Sequence, residues 1–181
     1  MRIVSGKFKG RHIKTPKNLP VRPTTDYGKE SLFNILNNWY YFDELSVLDL
    51  FAGTGNISFE FASRGTQRIV SIDANKNCVG FIEQMIEELD IADVLSANRM
   101  DAMEYVELTT EKFNVIFADP PYDYDGYPKM IETVFSRELL KENGTLIMEH
   151  DRRNDFSEHP YFEDSRKYGN VNYSFFSVPK S

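Results

Sequence analysis

The 181-residue chain has one cysteine, Cys78, so a disulfide framework is excluded and a reducing compartment is expected. No apolar run approaches the length of a membrane span, and the first nine residues, with Arg2, Lys7 and Lys9, contain no signal-like apolar stretch. The expectation is a cytoplasmic protein with no membrane contact. Histidine is scarce: His12, His150 and His159 are scattered and show no ligand spacing among themselves or with Cys78, so no metal is expected. A P-loop, a nucleophile elbow, internal repeats and low-complexity stretches are all missing. Acid exceeds base, for a net charge of −7, which by itself disfavours nucleic acid.

The distribution of that charge points the other way. Residues 1–22 carry seven basic side chains (Arg2, Lys7, Lys9, Arg11, Lys14, Lys17, Arg22) and no acid. The rest of the chain holds 14 basic and 28 acidic groups, a balance of −14. Such an arm can draw phosphates to itself while the body repels them. A solvated basic hairpin with no ligand has the same composition. Interleaved aromatic, small and basic residues from Gly6 to His12 favour binding.

From residue 46 onward apolar runs alternate with helical patterns. Strands are expected at 46–51, 68–73, 93–97, 113–118 and 145–149. Helices are expected at 57–64, 75–90, 101–108 with Asp101 as N-cap, and near 127–140. This alternation predicts a parallel sheet covered by helices on both faces. Residues 161–168 and 171–178, joined at Gly169-Asn170, read as an antiparallel hairpin after a loop at 150–160. Ahead of the sheet, residues 1–14 suggest a small hairpin and 25–38 a helix with Leu32, Phe33 and Leu36 inward. The length fits a single domain of residues 1–181, with a basic arm at 1–22 and the sheet at 46–178.

Two segments carry chemistry. The first, residues 49–56, joins a strand to its helix, and Gly53 and Gly55 allow a tight turn and close approach of a ligand. A dinucleotide fingerprint needs a third glycine where Ser58 stands, and Asp49 is ill suited to a pyrophosphate but well suited to an ammonium group. Asp73, twenty residues after Gly53, is placed for ribose hydroxyls. Asp101, beside Ala102, can meet an adenine amine or simply cap its helix. Phe51 is a candidate for an apolar wall. Ribose, adenine and a cationic amino-acid tail together describe S-adenosylmethionine.

The second segment is Asp119-Pro120-Pro121-Tyr122, directly after a buried strand. Two prolines fix φ near −65° and remove two N–H donors. Carbonyls and the Asp119 carboxylate remain as acceptors, and Tyr122 offers a face on which an extruded base can stack. A Pro-Pro pair also simply ends strands, so the ledge gains meaning from occurring together with the glycine loop.

Together these features resemble class I S-adenosylmethionine-dependent amino-methyltransferases. Three stretches resemble the RsmD family more narrowly: Arg2 to Gly6 with Lys9 to Arg11; residues 22–26 with Glu30 to Asn34; and Leu48 to Gly55. The resemblance runs from residue 1 to about 178 and is most specific in the block at 22–26. It implies a Rossmann-like, seven-stranded, mostly parallel α/β sheet with an antiparallel last strand. It also implies methylation of the exocyclic N2 of a guanine in 16S (small-subunit) ribosomal RNA, free or in the assembling subunit. Nothing in the sequence demands a partner chain, so a monomer is expected. Asp119, Pro120, Pro121 and Tyr122 would hold the base. Asp49, Phe51, Gly53, Gly55, Asp73, Asp101 and Ala102 would hold S-adenosylmethionine. Arg2, Lys7, Lys9, Arg11, Arg22 and Thr25 would meet RNA. The family's arginine-rich stretch after the 22–26 block is replaced here by Tyr27, Gly28 and Lys29.

Other classes compete for the same features. An adenine-N6 methyltransferase of DNA or RNA uses such a ledge too, although no separate target-recognition domain is visible. A nicotinamide-dependent oxidoreductase is disfavoured by Ser58 and Asp49. A non-catalytic RNA-binding module is disfavoured by the intact ledge.

Overall fold

The computed structural model describes residues 1–21 and 25–179. Its centre is one seven-stranded sheet in the order β3-β2-β1-β4-β5-β7-β6. The strands are β1 (Ser46–Leu50), β2 (Arg68–Asp73), β3 (Leu95–Arg99), β4 (Phe113–Ala118), β5 (Leu140–His150), β6 (Phe162–Tyr168) and β7 (Val171–Phe176). Pairings β1–β2, β1–β4, β2–β3 and β4–β5 are parallel, while β7 runs antiparallel to both β5 and β6. This is the arrangement implied by the resemblance. A seven-strand order reversing at β1 and β4 opens a crevice above their carboxyl ends, where doubly wound sheets bind ligands.

The helices are α1 (Asp26–Trp39), α2 (Asn56–Ser63), α3 (Lys76–Leu89), α4 (Ala102–Leu108) and α5 (Tyr127–Ser136). Buried residues fall into two clusters, one on each face of the sheet. Helices α1, α2 and α3 cover the face bearing Val47, Ile69, Val115 and Ile147. Helices α4 and α5 cover the face bearing Leu48, Val70, Ile116 and Leu146. Strand β1 is buried at every position because both its faces meet helices.

Sequence and structure agree closely at β4, α3, α4 and the hairpin. The third strand lies two residues later than expected, at Leu95–Arg99, because residues 91–94 form a turn in which Val94 and Leu95 donate to the Ile91 carbonyl. The fifth strand starts five residues earlier than expected, at Leu140. That extension is exposed from Lys141 to Asn143 and carries no apolar pattern to reveal it. It is paired through a register shift between Phe113 and Val115. Helix α5 ends at Ser136, four residues short of the expected limit. The backbone there passes to Glu138 at a positive φ of 53°.

The N-terminal segment is a hairpin, as expected, though held by a single bridge between Arg2 and His12 and by Met1–Ile13 and Ile3–Arg11 hydrogen bonds. Ile3 and Ile13 are buried beneath it. Its backbone docks on α2. Glu60, wholly buried, accepts from the Val4 and Ser5 amides at 2.9 and 3.1 Å. Ser63 Oγ accepts from Phe8 N and donates to Ser5 O. Lys29 of α1, also wholly buried, pairs with Glu60 at 3.1 Å and donates to Asn56 Oδ1 and the Arg2 carbonyl. Arg64 adds a second cation to Glu60 at 2.9 Å. Burial pulls the Lys29 ammonium's pKa down, and the Glu60 carboxylate opposes that shift.

A buried ion pair is costly to break from one side, because the remaining charge stays dehydrated. Glu60→Ala strands the Lys29 ammonium and removes both amide anchors of the arm. A loss of about 3–5 kcal/mol in urea unfolding is expected; a loss below about 1 kcal/mol would show that the network carries little.

Candidate active site

The crossover from β1 to α2 bends sharply. Phe51 has a φ of 57°, a conformation that costs a non-glycine residue energy and often marks functional sites. Gly53 and Gly55 follow at 59° and 82°. A Cβ on Gly53 would come within 3.0 Å of Val21, so the glycine admits the segment leading out of the arm. Gly55 serves packing: its Cβ would lie 2.7 Å from the Phe59 ring and 3.1 Å from Ile82.

Asp73, at the tip of β2, holds this loop in place. Its Oδ2 accepts from Gly53 N and its Oδ1 from Asn75 N, both at 2.8 Å. Each oxygen keeps a second lone pair for a ligand. Asn75 in turn caps α3, accepting from the Asn77 and Cys78 amides. Asp101 caps α4 through the Glu104 amide at 3.1 Å. The capping residue also lines a cavity.

These elements enclose a cavity of about 710 Å³ above the carboxyl ends of β1, β2 and β4. Asp49, Phe51, Gly53, Asp73, Asp101 and Ala102 line it, together with all four ledge residues, Asp119, Pro120, Pro121 and Tyr122. The structure thus brings two groups of sequence candidates, residues 49–102 and residues 119–122, into one site. Gly55 is the only one of them behind the wall.

The cavity's electrostatics are one-sided. Four carboxylates line it (Asp49, Asp73, Asp101, Asp119), and among the described residues no lysine or arginine does. A pyrophosphate would be repelled, whereas a cationic ligand fits. Asp49 is 1% exposed and accepts from Ser58 Oγ at 2.6 Å, with Ser71 against the same hydroxyl. Burial pushes its pKa up to about 7; Ser58 opposes the rise, and Asp119 and Asp73 add to it. The Tyr124 hydroxyl is buried in the cavity wall with no partner among the described residues, so a ligand acceptor would satisfy it.

Several lining residues escaped the sequence reading. Leu19, Pro20 and Val21 come from the end of the arm, and Asn56, Cys78 and Tyr124 from beside the loops. Helical spacing gives Cys78 a place in α3 without chemistry. Its thiol is buried in the first turn of α3, and desolvation raises its pKa to about 11, so it acts as neutral lining. The signal for Tyr124 was its closeness to the ledge; its ring meets Phe51 edge-on at 5.2 Å.

Tyr122 is 59% exposed. The Arg153 guanidinium lies 4.0 Å from its ring centroid and donates to its carbonyl at 2.8 Å, while pairing with Asp151. Cation–ring stacking of this kind fixes the ring plane.

Of the arm residues, Lys7, Lys9 and Arg11 are exposed. Arg2 is engaged with Asp26 at 3.1 Å and joins the arm to α1. Thr25 caps α1 through the Gly28 amide at 3.1 Å. Arg22 lies outside the described residues. Gly28, which replaces the family's basic stretch, is buried, and a Cβ there would meet Thr25 Oγ1 at 3.1 Å and the Tyr173 hydroxyl at 3.4 Å. Close packing of α1 on β7 accounts for the glycine. Among the described residues no cluster of three or more His, Cys, Asp or Glu can hold a metal, and no helix is long and apolar enough to cross a membrane.

A family model described as conserved hypothetical protein 95 matches residues 1–177. The chain belongs to this family, the RsmD family. It is 32% identical over 161 residues to the Bacillus subtilis protein named "Putative rRNA methyltransferase YlbH", covering 87% of this chain and 86% of that one. It is 30% identical over 151 residues to ribosomal RNA small subunit methyltransferase D of Escherichia coli K12, covering 82% and 71%. Among solved structures, hypothetical protein TTHA0928 of Thermus thermophilus superposes with a TM-score of 0.83 at 23% identity, over 98% and 99% of the two chains. SAH-bound methyltransferase PaMTH1 of Podospora anserina does so with a TM-score of 0.66 at 13% identity, over 82% and 76%. At these identities the two structures speak for the fold: the RsmD-family chain has a methyltransferase fold.

Asp49 yields a pH test. Its folded pKa, about 7, lies above its ordinary value of 3.8, so between those values the folded protein holds a proton that the unfolded chain has released. Stability conferred by the protonated carboxyl is complete below pH 4, falls as pH rises to 7, and is flat above. Asp49→Asn should keep its melting temperature across that window while the parent loses up to about 4 kcal/mol. Parallel thermal melts of the two proteins from pH 4 to 8 check this; superimposable profiles would place the ionisation elsewhere.

Proposed function

We propose that this protein transfers a methyl group from S-adenosylmethionine to the exocyclic N2 amine of a guanine in small-subunit ribosomal RNA. The observation that carries the proposal is the single cavity in which the glycine loop, Asp73 and Asp101 face the 119–122 ledge. What relatives of similar length are named for, methylation of small-subunit ribosomal RNA, supports the choice of substrate.

Asp73 would hold ribose hydroxyls with the lone pairs its backbone bonds leave over. Asp101 would accept from the adenine amine, beside Ala102. Asp49 and the surrounding carboxylates would favour the positive end of the ligand. Bound S-adenosylmethionine supplies an electrophilic methyl on a sulfonium and a neutral thioether as leaving group. Phe51, Val21 and Cys78 provide apolar walls that exclude water from the reacting centre.

The N2 amine of guanine is a weak nucleophile, since its lone pair is delocalised into the ring. The Asp119 carboxylate and the Pro120 carbonyl each accept one amine hydrogen bond. This favours a pyramidal nitrogen and directs its lone pair into the cavity. Positioning supplies most of the rate in such a displacement. Tyr122, steadied by Arg153, stacks the extruded base. The proton released from nitrogen leaves by way of Asp119 or water. The exposed Lys7, Lys9 and Arg11 hold phosphates away from the acidic body.

Asp119→Ala is expected to lower kcat by about 10²–10³-fold while calorimetric affinity for S-adenosylmethionine stays within a few-fold of the parent. Unchanged turnover would remove Asp119 from its role, and failure of the parent to bind S-adenosylmethionine at all would remove the cofactor. For the arm, replacing Lys7, Lys9 and Arg11 by glutamine should reduce the salt slope of RNA binding by about two to three. An unaltered slope would place the phosphates elsewhere.

A further inference from the structure

Strands β4, β5 and β7 carry a second carboxylate beside the ledge. Ala118 pairs with Met148 in the parallel β4–β5 ladder, so the next positions, Asp119 and Glu149, are neighbours. Glu149 pairs directly with Tyr173 in the antiparallel β5–β7 ladder. Side-chain alternation puts all three on the α1 face of the sheet: Phe117, Ile147 and Tyr173 belong to the cluster under α1–α3, and Asp119 and Glu149 lie two residues beyond the first two. They form one row across the top of the sheet, Asp119–Glu149–Tyr173, with adjacent strands about 4.8 Å apart. The row leads away from the cofactor cavity, whose lining ends at β4.

Other observations agree with this placement. The Tyr173 hydroxyl is wholly buried, and its pKa is raised first by burial and then by the carboxylates of Glu149 and Asp119. Tyr127 donates to the Glu149 carbonyl at 3.2 Å, and His150 bonds Ser174 at 2.6 Å, so the end of β5 is held from both sides. Glu149 is 8% exposed, a carboxylate placed where water is scarce.

We infer that Glu149 is a specificity-determining residue that accepts the N1–H of the target guanine, beside the N2 amine held by Asp119 and Pro120. The inference rests on the proposed guanine-N2 activity and says which atom selects the base. On its Watson–Crick edge guanine presents two adjacent donors, N1–H and N2–H, matching two adjacent carboxylates. Adenine presents a donor at N6 beside an acceptor at N1, and a carboxylate facing that acceptor is repelled. A ledge that can grip any exocyclic amine is thereby restricted to guanine. Sites built to bond one edge reject a base that leaves a buried polar group unpaired.

The test uses 2,6-diaminopurine, which keeps the 2-amino group but has a lone pair at N1 in place of N1–H. The methylated guanine is first located by mass analysis of RNA treated with the full-length protein. It is then replaced by diaminopurine in a synthetic hairpin. For the parent protein, kcat/KM should fall about 10- to 100-fold on the analogue. Glu149→Gln, whose amide can donate to N1 of the analogue as well as accept N1–H of guanine, should gain activity on diaminopurine and bring the ratio towards one. A parent that treats both hairpins alike, or a folded Glu149→Gln that keeps the parent's ratio, overturns the inference. If circular dichroism shows that Glu149→Gln does not fold, Glu149→Ala takes its place and should also level the two rates; a preserved ratio there again overturns it. A parent inactive on the guanine hairpin would be a failure of the proposed function, whereas an active parent indifferent to N1 is a failure of this inference alone.

Discussion

Asp73 joins the parts of the site to one another. One carboxylate oxygen takes the amide of Gly53 and the other that of Asn75, so the loop after β1 and the loop after β2 are tied to the same rigid strand end. Without that tie the left-handed residues of the crossover would have to hold their strained turn alone. With it, Asp49, Asp101 and Asp119 arrive around one cavity at strand tips whose spacing the parallel ladders set. The raised pKa of Asp49 comes first from its burial, and repulsion from the Asp119 and Asp73 carboxylates adds to it. A cationic ligand would offset that repulsion.

The arm and the cavity are mechanically continuous. Glu60 anchors the arm's backbone, Lys29 bridges Glu60 to Asn56, and Asn56 opens α2 at the cavity wall. Leu19, Pro20 and Val21 then carry the chain from the arm over Gly53. The segment with the basic residues therefore also closes one side of the site. Its exposed lysines face water, its isoleucines are buried in the core, and its backbone amides bond side chains of α2. The arm's lysines are thereby left at the surface of an otherwise acidic protein.

Much of the site was legible because its residues are of unusual types at short range. Gly53 and the 119–122 tetrapeptide follow buried strands and Asp73 ends one, and a parallel sheet must deliver such residues to one edge. Residues with ordinary local meaning stayed hidden. Cys78 sits at a core-facing helix position, Asn56 begins a helix, and Val21 lies in a stretch with no periodicity; each becomes a cavity residue only through packing. Gly28 looked like a loss of a basic contact, and the α1–β7 contact supplies its reason. Arg2 counted as one cation among seven, but its Asp26 partner lies 24 residues away in sequence. The early start of β5 was invisible because strand pairing at an exposed edge needs no apolar alternation.

By itself the sequence determined the class of the fold, the order of its elements and the two loops that carry chemistry. These depend on local matters: hydrophobic period, glycine and proline backbone freedom, and caps such as Asp101 and Asn75. Only the tertiary structure decided which carboxylates share a space, that the arm is buttressed from beneath by Glu60, and that Glu149 stands next to Asp119. Those outcomes depend on strand register and on contacts between residues far apart in the chain. A one-residue slip of β5 against β4 would turn Glu149 to the opposite face, and no local pattern records that choice.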